Sequence, residues 1–255
     1  MIEAVSGEIV VGSRGLSRPL AFATTVVAAL GVGAEVLKER GHLTAESVVV
    51  ETFSLSCEWN VPTLYTAALL WGSALLLALV AASARRAREP FVGHWRLLAA
   101  GFAYIGVDEV LGIHEHVGAW VKLEHVVYFD WIVPAAGLLV VLSLIYLPFL
   151  RALSSRDRRR FLLAGAIYVG GAVGMELPLG WWTARNGIDN LGYALIDALE
   201  ETLEMVGLVI FLLSLLDYLA SRRVSLRFVS PAHAPSLERD RDARLVSPGA
   251  RERES

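Results

Sequence analysis

Three short stretches hold the residues able to do chemistry. "DEVLGIHEH" (108–116) places Asp108, Glu109, His114, Glu115 and His116 within one short run. "DALEETLEM" (197–205) adds Asp197, Glu200, Glu201 and Glu204, and "GMELP" (174–178) adds Glu176. Carboxylates joined by one or two imidazoles form the donor set that hard or borderline divalent cations take, and facing helices are how bundle proteins present it. The same groups also suit proton transfer. The single cysteine, Cys57, excludes an internal disulfide and a Cys-based zinc motif.

The elements that must position these residues are membrane helices. The chain is 55% hydrophobic with a mean hydropathy of +0.52, and its apolar residues fall in blocks about 20 residues long, the length that crosses a bilayer. The spans run roughly over 19–36, 61–82, 97–118, 132–150, 161–182 and 203–219. They predict an all-α, polytopic integral membrane bundle of six helices. Arg14, Arg18, Arg85, Arg86, Arg88, Arg96, the arginines of 151–160 and those from Arg222 onward fall on one side of such a bundle. The positive-inside rule then puts both termini in the cytoplasm, in the plasma membrane of the cell. Trp59, Trp120, Trp131, Trp181 and Trp182 fall at the opposite interface, as an aromatic belt does.

Residues 1–18 read as a cytoplasmic lead, 19–220 as the membrane domain, and 221–255, rich in Arg, Ser and Pro, as a disordered cytoplasmic tail. The first apolar block is too long for a signal-peptide core and is expected to stay as an anchor. Thr44 is placed to cap a short interfacial helix, and Gly170 with Gly174 forms a GxxxG pair expected to admit a neighbouring helix. With a net charge of -3, nucleic acid is not an expected partner; membrane lipid and a metal ion are.

The acids cannot be kept out of the membrane. If the last span began at Met205 it would measure roughly 21 Å against about 30 Å of hydrocarbon. Asp197, Glu200, Glu201 and Glu204 lie within a sector of roughly 100° on one helix face, and Asp108, Glu109, Glu115 and His116 within roughly 120° on another. On an unbroken ideal helix His114 points elsewhere, unless Gly112 loosens the turn. Each buried acid costs about 2.5 to 3.5 kcal/mol, so the full set would cost on the order of 20 kcal/mol without compensation. No Lys or Arg lies inside any apolar span; Arg96 stands at one boundary and Arg185 in a loop. Protons or metal ions remain as the neutralising partners.

Asp108 and Glu115 on the third helix, and Glu204 and Asp197 on the sixth, share a spacing of seven in antiparallel directions, so the two stripes are in register. The column is longer than a dinuclear centre, whose ions sit about 3.5 to 4 Å apart, so some acids must support the ligands or line a route to them. Glu35, Glu58 and Cys57 occupy the same outer level, with Glu35 and Glu58 read as interfacial acids. His125 and Asp130 read as solvated loop residues, and His42 and His94 as ordinary polar loop residues.

With these residues in view, the chain resembles a group of bacterial six-helix membrane proteins that carry "DExxxxHE", here Asp108, Glu109, His114 and Glu115, and "EExxEM", here Glu200, Glu201, Glu204 and Met205. The resemblance covers roughly 97–219, brings no assigned activity, and implies a role for His114 rather than His116. "EETLE" is also similar to the RExxE motif of high-affinity iron permeases, with Glu200 in place of the Arg and one copy where that family has two. Two Glu-x-x-His motifs on separate helices, as soluble di-iron proteins carry, are absent, as is the HxxxH element of membrane hydrolases related to alkaline ceramidase.

The expectation is a site for one or two divalent ions (Fe, Mn or Zn) between helices three, five and six, toward the extracytoplasmic side. Three functions use such a site: a metalloenzyme, hydrolase or oxidoreductase, acting on a lipid-soluble substrate; a transporter of divalent cations or protons; and a metal sensor signalling through its tail.

Overall fold

The computed structural model describes residues 13–113 and 131–222. Those residues are helical, with no strand among them. α1 (Ser13–Glu39) is followed by the short α2 (Val48–Phe53), then α3 (Val61–Arg86), α4 (Val92–Leu111) and α5 (Ile132–Ala152). A continuous helical run then comprises α6 (Ser155–Val169), a wide π-type segment (Gly170–Met175) and α7 (Glu176–Asn186), and α8 (Leu191–Ser221) follows. α1, α3, α5, the α6–α7 run and α8 make five helices long and apolar enough to cross a membrane. α4, with 20 residues, is about 30 Å long at 1.5 Å per residue, but it carries Arg96, Asp108 and Glu109.

Local chemistry sets the helix ends. Asn60 caps α3, its Oδ1 accepting from the Thr63 N–H at 3.2 Å, and Pro62 occupies the first turn where a missing N–H does no harm. Asn190 caps α8 in the same way through Tyr193 N–H at 2.9 Å, and Trp182 donates to the same Asn190 oxygen at 2.8 Å. Ser47, rather than Thr44, caps α2: its hydroxyl accepts from Val50 N–H.

α4 ends sooner than its hydropathy suggests. Gly112 adopts φ +56°, the left-handed conformation that closes a helix, and its N–H bonds Asp108 O at 2.7 Å. The expected helix is therefore interrupted at Gly112 rather than unbroken; Glu115 and His116 lie outside the described residues. The span limits also move outward: α1, α6 and α8 extend past their apolar blocks, so Lys38 and Arg160 are helical residues. His94 likewise lies in the first turn of α4, its ring stacked on Phe149 at 5.6 Å, and not in a loop.

α8 is the pillar of the bundle. Its apolar window is 61% buried, against 17% for α5, and it packs against α1, α3, α6, the π-type segment and α7. α4 lies along α3. One cluster of core residues, including Leu77, Trp95, Phe149, Phe161, Leu215 and Tyr218, fills the end where α3 stops and α4 starts. A second, including Val27, Leu70, Met205, Leu208 and Leu212, fills the middle.

The arginines gather at the first of these ends. Arg160 of α6 pairs with Asp217 of α8, which also accepts from Ser13 at the start of α1, and Arg222 bonds Glu89 at 2.5 Å. At the opposite end Glu35 is buried, 3% exposed, and accepts from Ser54 at 2.5 Å while pairing with Lys38. Glu35 is thus a buried structural acid tying α1 to the α2–α3 connection, where the sequence suggested an interfacial one.

Candidate functional site

The acidic stripe of α8 faces the bundle interior. Glu200 and Glu204 are buried, as is Glu176 at the start of α7. Asp197 and Glu201 are partly buried, and Asp197 Oδ2 and Glu200 Oε2 are buried oxygens with no hydrogen-bond partner among the described residues.

A close helix approach brings the stripe to its neighbours. A Cβ on Gly171 would stand 2.8 Å from Glu200 O and 3.0 Å from Glu204 Cγ, and a Cβ on Gly207 would stand 2.7 Å from Tyr168 N. Only glycine at both positions lets α8 lie backbone to backbone against the π-type segment and α6. The expected pair, Gly170 and Gly174, does not serve this purpose: Gly170 has no atom within 4 Å of its Cβ position, and Gly174 meets only Val169 O at 3.8 Å. The wide turn re-aims the segment, and Gly171 takes the contact that an α-helical GxxxG reading gives to its neighbours.

Directly after that turn, Glu176 is held by Trp131, whose Nε1 donates to Oε1 at 3.1 Å. Tyr168, in the last turn of α6, donates its hydroxyl to Glu204. Glu109 of α4 and Glu176 of α7 are each within electrostatic reach of Glu204. Glu109 also acts on Glu201, and Glu176 on Glu200. Asp108 stands near enough to act on Tyr168. Farther along α8, Asp197 accepts from Ser56 and lies within electrostatic reach of Glu35. The acids therefore form a series running from the Glu35 end to Glu204, about 10 Å along α8 from Asp197 to Glu204.

No ion pair joins Asp197, Glu200, Glu201 or Glu204 to a Lys or Arg among the described residues. Nor do any three His, Cys, Asp or Glu side chains of the described residues stand in ion-holding geometry. The sequence candidates His114, Glu115 and His116 lie outside the described residues, as do Trp120, His125 and Asp130. Cys57 is a free thiol.

Tyr168, Ser56 and Ser54 were not singled out by the sequence. The signal for Tyr168 is a phenol within the apolar run "LLAGAIYVGG", because a buried hydroxyl needs a partner.

A family described as a domain of unknown function (DUF8692) matches residues 19–219. The chain belongs to that family. The match to DUF8692 runs from within α1 to near the end of α8 and includes all three acid-bearing stretches. No curated protein and no solved structure matches.

Proposed function

We propose that this DUF8692 protein is an integral membrane protein that holds one or two divalent cations among the carboxylates of α4, α7 and α8. It works as a metalloenzyme on a lipid-soluble substrate. The observation that carries the reading is the gathering of carboxylates from other helices within electrostatic reach of the buried Glu204: the partly buried Glu109 of α4 and the buried Glu176 of α7. Acids so gathered with no basic group on the α8 stripe call for a cation, because mutual repulsion and desolvation both oppose their ionisation. The orphaned oxygens of Asp197 and Glu200 fit ligands or their supports.

Glu109, Glu176, Glu200 and Glu204 are the ligands of choice, with Asp108, Asp197, Glu201 and the 114–116 stretch as further donors. Fe, Mn and Zn all suit carboxylate and imidazole donors. A bound ion there would activate water or oxygen, and a spare carboxylate would serve as base. In this reading α4 is the sixth crossing, both termini are cytoplasmic by the positive-inside rule, and the site lies toward the extracytoplasmic face of the plasma membrane.

Metal analysis of the purified full chain, before and after a chelator wash, tests the proposal. Stoichiometric metal that survives the wash in the wild type and is lost in Glu204→Gln supports it; a wild type without stoichiometric metal refutes it. A second reading, passage of divalent cations or protons, draws on the length of the acid series from Glu35 to Glu204. Ion flux into proteoliposomes, abolished by Asp197→Asn, is its signature.

A further inference from the structure

Beside the carboxylates lies a second feature, made of carbon. An open cavity of about 280 Å³ is lined by α4, α5, α6 and α8. Its walls are almost wholly apolar: Leu98 and Phe102 from α4, Leu142 from α5, Phe161 from α6, and Leu208 and Phe211 from α8. The phenols that line it have their hydroxyls committed elsewhere, Tyr146 to His94 O at 2.8 Å and Tyr168 to Glu204. Apolar walls favour apolar guests over water.

The position of the cavity in the bundle names the guest. α5 and α6 are consecutive in the chain yet do not pack along one another, and Ser143 and Gly165, which line the cavity from these two helices, are both exposed. The mouth therefore faces laterally, between two membrane-spanning helices, where the surrounding medium is acyl chains. Tyr168, Gly207 and Phe102 form the end of the cavity nearest the acids, since along their own helices they are the lining residues closest to Glu176, Glu204 and Glu109.

We infer that this cavity receives a single hydrocarbon chain from the bilayer, a lipid acyl, alkyl or isoprenyl tail, and directs its polar end past Tyr168 toward Glu204. At about 30 Å³ per water-sized group, the volume admits about nine such groups, a medium-length chain or the terminal part of a longer one. The inference deepens the reading of a lipid-soluble substrate, and rests on it only for what happens at the polar end.

Gly165 provides the decisive variant. A Cβ there meets nothing within 4 Å, so Gly165→Phe fills the cavity without displacing backbone. Gly137→Phe is the matched control, on the exposed face of α5 with equally free space at its Cβ. The probe is a fatty alcohol bearing a diazirine near its tail, irradiated with the full chain in detergent and mapped by peptide mass spectrometry. Labelling should concentrate on residues 161–168 and 207–211, compete with unlabelled fatty alcohol, and fall at least tenfold in Gly165→Phe but not in Gly137→Phe. Ser143→Phe, which blocks the cavity from the opposite wall, should repeat the loss if Gly165→Phe fails to fold. Label spread evenly along the lipid-facing residues of α5, or undiminished by both filling variants, overturns the inference. Repeating the labelling on chelator-washed protein separates the two ideas: saturable labelling without metal retention leaves the cavity standing and removes the metalloenzyme reading.

Discussion

Gly171→Ala is the sharpest test of how the site is assembled. The added Cβ would stand 2.8 Å from Glu200 O, 3.0 Å from Glu204 Cγ and 3.2 Å from Glu204 N, where ordinary contacts between carbon atoms lie near 3.5 to 4.0 Å. Two of these three atoms are α8 backbone, so no side-chain rotation relieves the clash. α8 must retreat by roughly 0.5 to 1 Å, and overpacking of this kind costs about 1 to 3 kcal/mol. Replacing glycine by alanine within a helix contributes about 0.8 to 1 kcal/mol in the other direction. That gain applies equally to Gly170→Ala and Gly174→Ala, which meet no such clash. The expected ranking therefore puts Gly171→Ala below the other two by about 1 to 3 kcal/mol. Equilibrium unfolding of the purified variants by SDS in mixed micelles measures it. The retreat also draws Glu200 and Glu204 away from Glu176, so on the metal reading bound metal should fall in Gly171→Ala and not in Gly170→Ala or Gly174→Ala. A result in which Gly170→Ala or Gly174→Ala is the more damaging would refute the π-turn geometry and restore the GxxxG reading.

Gly207→Ala should act through the same helix retreat, because its Cβ would meet Tyr168 N at 2.7 Å; the Gly171→Ala/Gly207→Ala double variant should then lose less than the sum of the singles in the same unfolding assay. Lys38→Met leaves the buried Glu35 with Ser54 alone and should cost about 1 to 3 kcal/mol. Asp217→Asn breaks a pair whose partners are each about a third exposed, 31% and 38%, and should cost about 1 kcal/mol or less; equal losses for the two would contradict the burial that separates them. Trp131→Phe removes the donor to Glu176 Oε1; on the metal reading it should weaken metal binding about 10-fold or more in a competition titration, and in the unfolding assay it should cost about 1 to 3 kcal/mol, as for Lys38→Met.

The sequence determined the helical character of this protein, with helices long and apolar enough to cross a membrane, and the one-faced acids of its last helix. Both follow from local rules: apolar length against bilayer thickness, and a repeat of 3.6 residues per turn. The inward aim of Glu200 and Glu204 was legible for the same reason, since a helix with one acidic face in a membrane turns it away from lipid. What the tertiary structure decided depends on departures from regular helix and on contacts distant in the chain. Gly112 stops α4 by taking φ +56°, a choice that hydropathy does not encode. The π-type segment hands the helix contact from Gly170 and Gly174 to Gly171. Tyr168 and Glu204, 36 positions apart in the sequence, become partners only because two glycines let their helices touch. Spacing along one chain fixes which face a residue takes; which neighbour that face meets is set by the packing of other helices, and no local pattern carries it.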